Sequence, residues 1–84
     1  MRLEDLFKVI DSDDKVVVKH FYSDDVNSLF ASRIVFDDYA DNYLDLLDKD
    51  LYDNKVIQIN HSNNFILITI TNTKEGDKQW NHLF

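Results

Sequence analysis

Apolar residues change their period along this chain, and each change marks an element. Leu3, Leu6, Phe7 and Ile10 recur at helical spacing, with Glu4 and Asp5 in the first turn, where the helix dipole favours negative charge. A short amphipathic helix ending near "DSDD" is predicted. The stretch "KVVVKHFY" (15–22) is β-branched and aromatic, and "SLFASRIVF" (28–36) is similar; with turn-forming "SDDVN" between them they predict an antiparallel hairpin. "KVIQIN" (55–60) and "FILITIT" (65–71), joined around "NHSNN" (60–64), predict a second hairpin. Ile66, Ile68 and Ile70 form its most regular inward row. Phe65 and Leu67 on the opposite face suggest a central strand covered on both sides.

Between the hairpins lies "FDDYADNYLDLLDKDLYDNK" (36–55), with seven aspartates and no glutamate. On a helical wheel Asp37, Asp38, Asp41, Asp45 and Asp48 share an arc about 100° wide, while Tyr39, Tyr43, Leu46 and Leu47 take the opposite one, with Leu51 slightly beyond. The pattern predicts a central acidic helix with its apolar arc on the sheet. The fold class expected is therefore α+β: two antiparallel hairpins forming a four-stranded twisted sheet, with an N-terminal helix and the acidic helix packed against it. The chain should be one small domain, 1–84, in which 72–84 is a tail. Trp80, Leu83 and Phe84 there are spaced for one helical turn that docks back.

Composition narrows the function classes. The 84 residues contain 44% hydrophobic and 13% aromatic residues, enough for a core and against intrinsic disorder. The lack of cysteine excludes disulfides and thiol chemistry. The charged start "MRLEDLFKVI" reads as neither a secretory signal nor a membrane span, so a cytoplasmic protein is expected. Net charge is −7, which argues against direct nucleic-acid binding and against anionic membranes. Residues 36–53 carry −6 of it and all other residues together −1. Acidity is a local patch.

No catalytic or cofactor signature accompanies it. "DSDDKVVVKHFY" opens like a calcium loop but has Lys15, Val16 and Tyr22 where glycine and oxygen ligands belong. His20, His61 and His82 are far apart and lack the paired spacing of a metal helix. A single glycine, Gly76, cannot build a phosphate cradle, and none of the serines sits in a nucleophile elbow. No enzyme, metal or cofactor is expected.

The aspartate row itself suggests a role. Asp38, Asp41, Asp45 and Asp48 alternate intervals of three and four, which on a helix places successive charges about 4.5 to 6 Å apart along the axis. That is of the order of the phosphate spacing of a nucleic-acid strand, about 3.4 Å per phosphate along the duplex. Aspartate's shorter side chain also loses less entropy when a partner engages it. The predicted partner-binding residues are Asp37, Asp38, Asp41, Asp45, Asp48, Asp50 and Asp53.

"MRLEDLFKVIDSDDKVVVKHF", followed later by "NKVIQINHSNNFILITI", resembles a group of small proteins carried by phages and prophages of low-GC Gram-positive bacteria. These open with a leucine-rich helix, enter a strand after an aspartate-rich turn and close on an isoleucine hairpin. The resemblance implies a phage accessory context, in which small acidic proteins block host or defence proteins that grip nucleic acid, anti-CRISPR proteins among them. Combined with the acidic row, it gives the expectation of an inhibitor that mimics nucleic acid in the basic channel of a partner such as a Cas9-type CRISPR effector. The rival expectation is a structural or accessory protein that forms homo-oligomers through strand edges or the aromatic tail.

Overall fold

The computed structural model describes residues 1–21 and 32–74. The element order is α1 (Leu3–Phe7), β1 (Lys15–Phe21), β2 (Ser32–Tyr39), α2 (Tyr43–Leu46), β3 (Asn54–His61) and β4 (Ile66–Lys74), with 3₁₀ turns at Ala40–Asn42 and Lys49–Leu51. The expected turn at 23–27, the start of the second strand at 28–31 and the docking helical turn around Trp80, Leu83 and Phe84 lie outside the described residues.

The strands of both predicted hairpins pair as expected. β1 pairs antiparallel with β2, and β3 with β4. The reverse turn between β3 and β4 closes with Ser62 N–H donating to Phe65 O at 2.9 Å. The Ser62 hydroxyl also accepts from the Asn64 and Phe65 amides, the local bonding by which serine stands in for glycine or proline. The purely antiparallel description needs correction, however. The strand order is β2-β1-β4-β3, and the two hairpins meet through a parallel β1–β4 pair, Val16 opposite Ile66 through Phe21 opposite Thr71. The sheet is mixed. As a consequence β2 and β3 run in the same direction on opposite edges, and residues 40–53 must cross one face of the sheet to join them.

That face holds the core. On β1, Val16, Val18 and His20 are buried while Lys15 and Lys19 are exposed, the period of two that a one-sided sheet demands. Ile68 and Ile70 are wholly buried, and Ile66 packs at the margin. Leu3, Leu6 and Phe7 of α1, Phe36 of β2, and Ala40 and Leu47 of the crossover complete the cluster. A register shift between Val18 and Lys19 leaves Val35 unpaired as a bulge, and Val35 packs against the same core. β4 is central, as its pattern predicts, but its second face is not covered by the described residues: Leu67 is only half-buried and Phe65 is exposed.

Aromatic rings fasten the crossover to α1. Phe7 stacks on Tyr43 with centroids 4.6 Å apart and meets Phe36 edge-on at 5.3 Å. Tyr52 leans on Tyr43 at 5.7 Å. The N-terminus ties in from the other side, with Glu4 N–H donating to Tyr52 O and Val56 N–H to Met1 O, both at 2.9 Å. The Met1 contact and an isolated Arg2–Lys55 bridge cover the start of the β3 edge, which limits edge-to-edge pairing there.

Candidate functional site: an acidic shoulder

The central acidic helix expected over residues 37–48 is not found; α2 has four residues, and Asp37 and Asp38 lie on strand β2 while residues 40–42 form a 3₁₀ turn. Asp37 and Asp38 lie opposite Val17 and Val16 in the antiparallel ladder of β2 with β1. Beyond them each aspartate or asparagine offers the backbone a local partner that competes with a helix. Asp38 accepts from the Tyr39 amide at 2.7 Å and from Asn42 Nδ2 at 2.6 Å. Asp48 has extended backbone and caps the second 3₁₀ turn by accepting from Asp50 N–H at 3.0 Å. Leu47 is extended as well, which ends α2.

The phosphate-like ladder therefore does not exist as drawn. Asp37 lies 3.5 Å from Lys15 Nζ, and Asp53 accepts from Arg2 Nη1 at 3.0 Å. Arg2 also makes a two-pronged contact with Asp5, at 2.9 and 3.2 Å, so one guanidinium joins the start of α1 to the entry of β3. Its hydrogen bonds hold the Asp5 carboxyl below its ordinary range. Asp38 is lowered too, first by the Asn42 side chain and then by the Tyr39 amide. Burial raises the Tyr52 hydroxyl, which donates to Tyr43 O at 3.4 Å. The apolar arc is divided likewise: Tyr43, Leu47 and Leu51 pack inward, whereas Tyr39 and Leu46 are more than half exposed.

What the fold builds instead draws on a second acidic run. Ala40 N–H donates to Asp14 O at 2.8 Å, and Asp41 N–H to Ser12 O at 3.4 Å. The "DSDD" turn, Asp11 to Asp14, is thereby pinned beside the crossover. A shallow depression of about 340 Å³, lined by Ser12, Asp13, Tyr39, Asp41 and Asn42, marks the seam. Exposed Asp13 and Asp41 meet at this seam, exposed Asp11 and Asp14 flank it, and Asp45, Asp48 and Asp50 further along the crossover are exposed too, an acidic shoulder drawn from two distant stretches of sequence. Asp11, Asp13 and Asp14 were not among the predicted site residues. Their composition was visible, but the contact that recruits them is long-range. The acids diverge: among the described residues no group of three or more aspartate, glutamate or histidine side chains is placed to hold a metal ion.

The opposite face of the sheet differs in sign. A groove of about 730 Å³ crosses it, lined in part by Val17, Ile34, Leu67, Lys15, Lys19 and Arg33. Asp37 is the only carboxylate on its lining among the described residues, and it faces Lys15.

The chain matches no family model, and neither a curated protein nor a solved structure matches it. Among the described residues no helix is long and apolar enough to cross a membrane.

Proposed function

We propose that this is a non-enzymatic binding protein whose acidic shoulder docks on the basic, nucleic-acid-binding surface of a partner protein. The observation that supports this reading is the pair of backbone bonds joining residues 12 and 14 to residues 41 and 40, which brings exposed Asp13 and Asp41 from two distant segments to one seam. Such a surface steers a basic partner during approach and loses strength as salt shortens the Debye length from about 10 Å at 0.1 M to about 3 Å at 1 M. The mimicry is one of charge rather than of phosphate spacing, because the carboxylates follow turns and not a helical row. A phage setting and a Cas9-type effector as the partner rest on the sequence resemblance alone, and the effector supplies the concrete probe.

The test is inhibition of DNA cleavage by such an effector with the wild-type chain and with the triple variant Asp41→Asn, Asp45→Asn, Asp48→Asn. Asparagine keeps the cap that Asp48 provides, so the fold is retained. The proposal expects the variant to bind at least about tenfold more weakly, about 1.4 kcal/mol, and the wild-type affinity to fall steeply with salt. Equal potency of the two proteins, or an effector untouched by either, rejects it.

A further inference from the structure

Two polar side chains are buried among the described residues, His20 on β1 and Asn54 at the start of β3, at 7% and 2% exposure. They meet: Asn54 Nδ2 lies 3.4 Å from His20 Nε2 and donates to Thr71 O at 2.8 Å. The contact with Thr71 fixes the contact with the ring. A flipped amide would set Asn54 Oδ1 against the Thr71 carbonyl, two acceptors with no proton between them. The amide nitrogen therefore faces the imidazole, and Nε2 accepts its second N–H. In a neutral ring the proton then belongs on Nδ1.

A second ring proton would have to go to Nε2, where it would meet an N–H donor instead of a lone pair. Burial also disfavours the charged ring. Arg33 lies opposite His20 in the β1–β2 register, and wholly buried Ile70 is its partner in the β1–β4 register. The carboxylates of α1 and of the crossover's end, Glu4, Asp5 and Asp53, lie against Arg2. The position of Asn54 gives the contact its weight. Residues 40–53 rejoin the sheet there, and the β3–β4 register shifts on both sides of Val56, so the ladder is locally disrupted where the amide is anchored.

We propose that His20, Asn54 and Thr71 form an acid-sensitive latch: neutral His20 accepts from Asn54 and helps hold the end of the crossover to the sheet, and protonation at Nε2 expels the amide and loosens that end. The folded chain takes up this proton at lower pH than the unfolded chain, whose histidine titrates near about 6.5. The latch's contribution is therefore fully present above that value and is lost as pH falls below it.

Nuclear magnetic resonance of the wild type reads the ring directly. Long-range proton–nitrogen correlations at about pH 7.5 should show Nδ1 protonated and Nε2 bare, and His20 should still be neutral at about pH 6 in the folded chain, below the ordinary histidine value. Urea denaturation of the wild type and of His20→Gln reads the consequence. Glutamine offers Oε1 to the Asn54 amide and does not titrate, while His61 and His82 are common to both chains. Between about pH 7.5 and pH 5.5 the folding equilibrium constant of the wild type should fall several-fold further than that of the variant, with a ceiling of about tenfold per pH unit for one proton. A ring protonated on Nε2 overturns the proposal, as does a His20 already charged at about pH 6 in the folded chain, or parallel slopes for the two proteins. If the variant does not fold, the tautomer and charge of the wild-type ring decide alone. The latch works without a partner, so its failure leaves the acidic shoulder untouched, and the reverse.

Discussion

The two faces of the sheet begin from nearly the same residues and end in different states. On β1, Val16 and Val18 are fully buried while Val17 between them is half-buried; on β4, Ile68 is fully buried and its neighbour Leu67 is not. Identity of side chain does not decide this. The crossover does, because joining two strands of the same direction on opposite edges takes residues 40–53 over one face alone. Among the described residues, stability therefore resides on the covered face.

The largest effect should come from deleting volume on the covered face. Ile68→Ala should cost about 2–5 kcal/mol, while Leu67→Ala, one residue away on the open side, should cost about 1 kcal/mol. Urea denaturation of both variants checks the contrast. Equal losses would mean that the open face is covered after all.

A smaller difference should appear among amides. Asn54 is buried, and its Nδ2 donates to Thr71 O at 2.8 Å and lies 3.4 Å from His20 Nε2. Asn54→Ala removes the hydrogen bond to the part-buried Thr71 carbonyl and should cost about 1–3 kcal/mol. Gln58→Ala, at an exposed position of the neighbouring register, should stay within about 0.5 kcal/mol. The same denaturation series reads both.

The smallest effect is a pH slope at the margin of the covered face. The Asp38 carboxylate is stabilised in the folded state by Asn42 and the Tyr39 amide, so its folded pKa lies below the unfolded value of about 3.9. Its contribution is present above that value and is lost as pH falls through the depressed one. Between about pH 5 and pH 3 the wild type should therefore lose more thermal stability than Asp38→Asn does. Parallel slopes in scanning calorimetry would remove this carboxylate from the acid response.

Much of the fold was legible. Helix α1, both hairpins and the inward row of Ile66, Ile68 and Ile70 follow from periods of 3.6 and 2. The parallel β1–β4 pair was not, because nothing local in "KVVVKH" or "FILITI" names a partner strand. The acidic helix failed for a local reason that the sequence did contain. Aspartate and asparagine favour caps and turns because their side chains bond the nearby backbone. Asp38 and Asp48 do so here. The absence of glutamate, the better helix former, was a signal against the helix. Strand β2 also takes Asp37 and Asp38 into its ladder with β1, a tertiary pairing that overrides the wheel. Of the candidate acidic surface, the aspartates of the crossover were expected from composition, whereas Asp11, Asp13 and Asp14 lie beside Asp41 only through contacts that the fold creates.

The shoulder's role can be tested without knowing its natural partner. Amide chemical shifts of the labelled chain, followed during titration with an arginine- and lysine-rich peptide at moderate salt, report where positive charge settles. The account predicts saturable perturbations at residues 11–14 and 41–50 together, with Val17, Lys19 and Leu67 unmoved. Perturbations scattered evenly over every exposed carboxylate, or confined to one of the two acidic runs, would contradict it.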